Sequence, residues 1–338
     1  MTRLFLSFVI AITCFATAFM ARAETLPDDP ALVAAAKAEG KVTLYTSAFG
    51  HAFSMDVKRK FEKKYGISVE LLDVRASELI ERMRTEQAAG RFIGDVVQIG
   101  PSTTYGALRE GLLQPYGSVP NTRRLLPQYA ATDMVVPSYI YIYGILINTK
   151  LVKPADEPKS WKDLLDPRWQ GKMLADDQSS LGGGGIMFAA LQRVYGRVYH
   201  EKLAAQHPIF GRDVGNDERR VARGEYPLRF PQLAQNALLL KGLPVKMIIP
   251  PEGVPYARYD MAMQKNAPHP NAARLLMNYC LSDEIQLVYA NAGLLPVVAK
   301  LDGHVSDDVR EIMNAKLLGT VDMNDRDAML ALAKEIYK

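Results

Sequence analysis

Apolar positions in the first third of the chain alternate between a helical and a strand period, and glycines punctuate the changes. Pro30 to Glu39 reads as a short alanine-rich helix ended by Gly40, and Lys41 to Thr46 as a strand in which Val42 and Leu44 alternate with polar neighbours. Ala52 to Tyr65 is an amphipathic helix closed by Gly66, and Ile67 to Leu72 the next strand. Ser77 to Ala89 is helical, with Ser77 as N-cap and Gly90 at its end. Asp95 to Ile99 is a third strand and Ser102 to Glu110 a third helix, ending at Gly111. This order predicts a mostly parallel sheet with helices on both faces. Ligands of such sheets sit beyond the carboxyl ends of the strands, here Thr46 to His51 and Gln98 to Ser102.

The run from Met134 to Lys150 is the longest β-branched and aromatic stretch, and it reads as a strand. Tyr139, Tyr141 and Tyr143 share one face, Ile140 and Ile142 the other. At about 3.3 Å per residue it is long enough to leave one globular unit and enter a second. The expectation is a hinge strand between two lobes; an ordinary buried strand of a single domain is the alternative. Beyond it the strand and helix periods resume. Trp161 to Leu165 is a short helix, Lys172 to Ala175 a strand, and Ser179 to Gly185 a loop leading into the helix Ile186 to Tyr195. Helices follow at Val198 to Gln206, Asp217 to Arg223 and Gln232 to Lys241, with strands at Tyr226 to Phe230 and Val245 to Ile249. Pro250 to Pro255 breaks the pattern; a strand near Arg258 to Met263 precedes the helices Asn271 to Cys280, Asp283 to Ala290, Asp307 to Lys316 and Arg326 to Tyr337. The fold class is α/β. The expected division is a first lobe over 24–137, a second over 138–254 with hinge strands near both ends, and a return to the first lobe over 255–338.

Composition adds a compartment. The 338 residues are 48% hydrophobic and 23% charged, which suits an ordinary globular protein with room for two cores. Arg3 precedes an uncharged apolar run from Leu4 to Met20, and Ala21-Arg22-Ala23 offers small residues at cleavage positions. Residues 1–23 are expected to be a cleaved secretory signal that sends the chain to the periplasm. A retained anchor, the competing reading, needs about 20 apolar residues. Removal of Arg3 and Arg22 leaves 39 basic and 37 acidic residues, too balanced for a nucleic-acid footprint. Cys14 lies in the signal, so Cys280 is left alone and no intrachain disulfide can form.

Several segments resemble one family. Pro158 to Lys172 carries Ser160-Trp161, Asp163-Leu164-Leu165-Asp166-Pro167, Trp169 and Gly171-Lys172. Ala267 to Ala273 reads Ala-Pro-His-Pro-Asn-Ala-Ala and is followed by Leu281 to Gln286. Together with Ile147 to Lys150 and Gly224 to Pro227, these are similar to the bacterial extracellular solute-binding protein family 1, in its ferric-iron-type branch. The resemblance implies a two-lobed type II periplasmic binding protein, each lobe a mixed, mostly parallel sheet flanked by helices. It also implies a monomer that closes about its hinge on a small ligand and delivers it to an inner-membrane ABC permease. Ferric-binding members use adjacent tyrosines with a histidine and a carboxylate. No Tyr-Tyr pair occurs in this chain; the corresponding positions are Ala234 and Gln235, and Gln98 to Ser102 lacks a carboxylate. Neither Ala234 nor Gln235 is a hard anionic ligand for ferric iron.

The candidate binding residues follow from loop chemistry. Gly182 to Gly185, with Gly182 and Gly183 leading, opens a helix whose unpaired N–H groups and dipole suit an anion, and Ser179 and Ser180 add hydroxyls. A glycine run that is only a flexible connection is the alternative. Arg229 and Gln232 lie where a strand of the second lobe ends and its loop begins, where a guanidinium can grip a carboxylate or phosphate; a solvated surface arginine is the alternative. Ser47, Phe49 and His51 end the first strand and Ser102 follows the third. Tyr139 and Tyr141 face either the cleft or the core. Asp176 and Asp177 read as turn or capping residues, Glu252 and Gly253 as hinge geometry, and His200, His207, His269 and His304 as structural. Cys280 reads as a buried thiol.

The motifs Gly-x-Ser-x-Gly and His-Glu-x-x-His are absent, and no close His/Cys cluster occurs, so neither catalysis nor a resident metal or cofactor is expected. The expected ligand is a small phosphorylated or carboxylated solute. Ferric iron or a ferric chelate is the alternative, and a secreted hydrolase a further one. An intracellular ligand-sensing regulator is excluded, since it would need a DNA-binding module and no signal.

Overall fold

The computed structural model describes residues 25–48, 52–180, 182–211, 213–301 and 304–337. Phe49, His51 and the segment 1–23 expected to be a signal lie outside the described residues. The first part of the chain forms α1 (Pro30–Glu39), β1 (Lys41–Thr46), α2 (Ala52–Tyr65), β2 (Ser68–Asp73), α3 (Ala76–Ala88), β3 (Val96–Ile99), α4 (Pro101–Arg109) and β4 (Leu113–Gln114). The long strand β5 (Val135–Asn148) follows, then β6 (Met173–Asp176), α5 (Gly183–Ala204), β7 (Ile209–Gly211), α6 (Val214–Arg223), β8 (Leu228–Leu233), α7 (Ala234–Leu239) and β9 (Val245–Ile248). The chain ends with β10 (Val254–Gln264), α8 (Pro270–Cys280), α9 (Asp283–Asn291), α10 (Asp307–Met313), β11 (Leu317–Gly319) and α11 (Arg326–Ile336).

The strands join in the order β2-β1-β3-β10-β5-β8-β6-β7, with β4 and β11 beside β10 and β9 beside β5. Two parallel trios stand at the ends, β2-β1-β3 and β8-β6-β7. Antiparallel β10 and β5 connect them. All of β5 is buried, as its apolar run requires. Its residues change partner along its length: Val135 to Ile142 pair with β10, while Tyr143 to Asn148 pair with β8 and β9. A strand shared in this way ties two sheet halves through one continuous backbone, the arrangement of a two-lobed α/β binding protein.

The tyrosine face of β5 packs into an aromatic cluster. Tyr139 contacts Phe53 of α2 edge-on at 5.6 Å, Tyr289 of α9 at 4.7 Å and Tyr141 at 5.3 Å. Trp161 is fully buried and donates its indole N–H to the Gly253 carbonyl at 2.8 Å. Glu252 accepts from the Ser160 hydroxyl at 2.7 Å and the Trp161 amide at 2.8 Å. The residues read as hinge geometry therefore pin the Ser160-Trp161 segment to the second crossing.

Two local expectations shift, and a third is met. Ser77 does not cap α3, which starts one residue earlier with Arg75 at the N-cap and no side-chain hydrogen bond there. Gln232 belongs to strand β8 rather than to a helix. Helices expected to break near residue 196 do so at Gly196, whose φ of 71° bends α5. α8 and α9 pack on α1 and α2, whereas α11, which the sequence groups with them, packs on α5. Arg197 of α5 bonds Glu335 at 2.7 Å, and His200 Nδ1 lies 3.0 Å from the Tyr337 hydroxyl. An amphipathic stripe shows that a helix is covered but not by which neighbour.

Candidate functional site

A cleft of about 660 Å³ opens beside the point where β5 changes partners. Its floor is Tyr143 of β5 with Ala257 and Tyr259 of β10. One wall is the start of α3, with Arg75, Ser77 and Ile80, and the start of α4, with Gly100, Ser102 and Thr103. The facing wall is Ser180, Gly182, Ile186 and Phe188 around the start of α5. Arg326, Met329 and Leu330 of α11 and the preceding Val321 form a further side, where Arg326 is paired with Asp327 at 2.9 Å.

Three helices thus begin at one cavity. Arg75, Gly100 and Gly182 occupy the N-cap positions of α3, α4 and α5, and none of these helices has a side-chain cap. Asp29, Asp213 and Ser282 cap α1, α6 and α9 by accepting backbone N–H groups, while α7, α8, α10 and α11 also start without a side-chain cap. What sets α3, α4 and α5 apart is that their starts share one cavity. An uncapped start presents N–H donors and the positive end of the helix dipole to whatever lies in front of it. Cleft charge points the same way. Glu110 is held by Arg84 at 2.9 Å, whereas Arg75 is exposed and has no ion pair among the described residues.

The glycine run is shaped by close backbone approach. A Cβ on Gly184 would lie 2.1 Å from the Asp177 carbonyl oxygen, and one on Gly185 2.4 Å from that of Ser180. The loop folds back over the helix start, fixed by Asp177, which accepts the Ser179 amide at 2.9 Å and its hydroxyl at 2.7 Å. A Cβ on Gly183 would meet an Asp176 oxygen at 2.7 Å and the Tyr143 ring at 3.1 Å. A bulky residue at Gly183 is therefore no clean probe of binding.

Asp177 is the turn residue expected of it; Asp176 is not. Its carboxylate bonds Arg229, which is only 1% exposed and also donates to the Pro231 carbonyl at 2.6 Å and Gln232 Oε1 at 3.2 Å. Burial raises the Asp176 pKa, and Arg229 together with its hydrogen bond opposes that rise. Gln232, fully buried, donates to Glu218 at 2.8 Å. Arg229 and Gln232 therefore form a polar network behind the glycine loop instead of lining the cleft.

Of the residues singled out from sequence, Ser102, Ser180 and Gly182 line the cavity, and Gly183 adjoins it. The Ser179 hydroxyl is spent within the loop. Ser47 is buried at the end of β1, and Tyr139 and Tyr141 are buried in the aromatic cluster, where desolvation raises both phenols well above their usual range. Tyr143 does reach the cavity. Arg75, Ser77, Thr103, Tyr259 and α11 are additions. The first two follow β2, whose carboxyl end the strand rule also singles out. Ala234 and Gln235 are buried at the start of α7. Among the described residues no three His, Cys, Asp or Glu gather as a metal site.

The family model for the bacterial extracellular solute-binding protein matches residues 106–324. An uncharacterised protein of Haemophilus influenzae is 27% identical over 273 residues, which is 76% of this chain and 77% of the relative. A putative 2-aminoethylphosphonate-binding periplasmic protein of Salmonella typhimurium is 25% identical over 240 residues, 67% of this chain and 68% of the other. The ferric binding protein from Campylobacter jejuni superposes with a TM-score of 0.70 at 19% identity, covering 88% of this chain and 98% of that one. Such a superposition establishes a common fold. With 106–324 matched and two sheet halves joined through shared strands, the chain belongs to the bacterial extracellular solute-binding proteins.

Proposed function

We propose that the mature chain is the periplasmic component of an ABC importer and captures a small organic phosphonate or phosphate between its lobes. The observation that carries this is the convergence of three uncapped helix starts on one cleft beside Arg75, which has no ion pair among the described residues. Phosphoryl oxygens accept several N–H groups at once, and opposed helix starts share the charge. The name of the Salmonella relative supports the same head group. A bare ferric ion finds no tyrosine pair, so ferric iron would have to arrive as an anionic complex.

In this reading residues 1–23 are removed and the first lobe spans 24–137. The second spans 138–254, and α8 and α9 return to the first lobe while α11 stays with the second. Rotation about β5 and β10 carries the start of α5 toward those of α3 and α4, expelling water as hydrogen bonds form from both sides. The ligand is held and released unaltered, and the closed form is what a membrane permease recognises.

A thermal-shift screen of phosphonates, phosphate esters, organic acids and ferric citrate tests the assignment. A ligand at about a hundred times its Kd stabilises by about 2.7 kcal/mol, enough for a rise of several degrees. Phosphonates or phosphate esters are expected to give that rise, and Arg75→Ala to weaken the best of them about tenfold or more. A rise with ferric citrate alone, unaffected by Arg75→Ala, would sink the assignment.

A further inference from the structure

The cleft has a third wall whose chemistry differs from the other two. α11 is fastened to α5 by the Arg197–Glu335 ion pair and by Tyr337 against His200, so it travels with the second lobe. Its Met329 and Leu330, neighbours in sequence and half-buried, face the cavity. Leu330 lies directly over the anion end: a Cβ on Gly185 would be 3.6 Å from Leu330 Cδ2. Ile186 and Phe188 continue the apolar surface on α5, and Ile80 faces them from α3. A cavity of about 660 Å³ falls in the range of about 300–1,000 Å³ that holds organic ligands. A tetrahedral oxyanion at the helix starts would leave much of it empty against apolar side chains.

We propose that α11 is the specificity wall of this cleft. It selects organophosphonates or organophosphates whose charged head sits at the starts of α3, α4 and α5 and whose apolar body of several carbons lies against Met329, Leu330, Ile186 and Phe188. This rests on the anion reading above and adds what the rest of the ligand must be. Burial of each methylene transfers apolar surface from water, which corresponds to about fourfold in affinity.

The test is titration calorimetry of methyl-, ethyl-, propyl- and butylphosphonate against the full mature chain. Affinity should climb about fourfold per carbon. Leu330→Ala should flatten the series, costing butylphosphonate about fivefold more than it costs methylphosphonate, the variant's melting temperature being checked alongside. A flat series, or an equal loss for both ligands in Leu330→Ala, overturns the wall and leaves the anion site standing. Failure of every phosphonate to bind overturns both. The unmutated series decides the matter even if the variant folds poorly.

Discussion

Arg229→Ala is expected to destabilise the protein by roughly 3–5 kcal/mol, the cost of leaving a buried charge without its partner. Arg229 is 1% exposed, and its guanidinium holds the Asp176 carboxylate, the Pro231 carbonyl and the Gln232 side chain together. Asp217 and Glu218 stand near enough to raise the Asp176 pKa further, so removing the cation leaves acids facing one another. Burial is the largest influence on Asp176 and already favours its neutral form. In the variant a falling pH should therefore recover part of the lost stability as Asp176 takes up a proton. Replacing both partners, as Asp176→Asn with Arg229→Met, should restore much of it. Urea unfolding at pH 7 and pH 5 gives all three values. A single variant as stable as the parent would mean that the pair is not buried as described.

Acid should release α11. His200 is fully buried, with its ring 4.2 Å from Phe188 and its Nδ1 3.0 Å from the Tyr337 hydroxyl. Burial pushes its pKa down from 6.5 to about 4. In the unfolded chain His200 gains a proton as pH falls through about 6.5, whereas the native ring stays neutral until about 4. The native state is therefore favoured above 6.5 and loses roughly 3 kcal/mol between there and 4. Carboxylates titrate over part of the same range, so the readout is a difference: the parent should lose more stability between pH 7 and pH 4 than His200→Phe. Equal slopes would show that the ring is not held neutral by burial. Because Phe188 lines the cleft, the same acid step should weaken ligand binding.

The alternating periods and the glycines that end them were enough to place the parallel order of the first lobe, the long strand β5 and the resumption of strands and helices beyond it. These features are local, and each is repeated over enough residues to be unambiguous. The site was harder. Ser102, Ser180 and Gly182 were found because strand ends and glycine-led helix starts have a local signature. Arg229 was misplaced because a strand-end arginine looks the same whether it faces ligand or a buried acid, and Asp176 lies 53 residues away from it. Arg75 and Ser77 follow β2, where the strand-end rule applies as it does to β1 and β3, but Ser77 reads locally as a helix cap and Arg75 as a surface charge. The sequence groups α11 with the first lobe, whereas it packs on α5, because that partner is chosen by tertiary packing and the stripe of Met329, Leu330 and Ala333 would fit either lobe.

The central claim is that the cleft recognises negative charge at converging helix starts. Butylphosphonate and its neutral dimethyl ester carry the same apolar body and differ in that charge. Calorimetric titration of the mature protein with each should show saturable binding of the acid and none of the ester at the same concentrations. Equal affinity for the two, or binding of the ester alone, would contradict it.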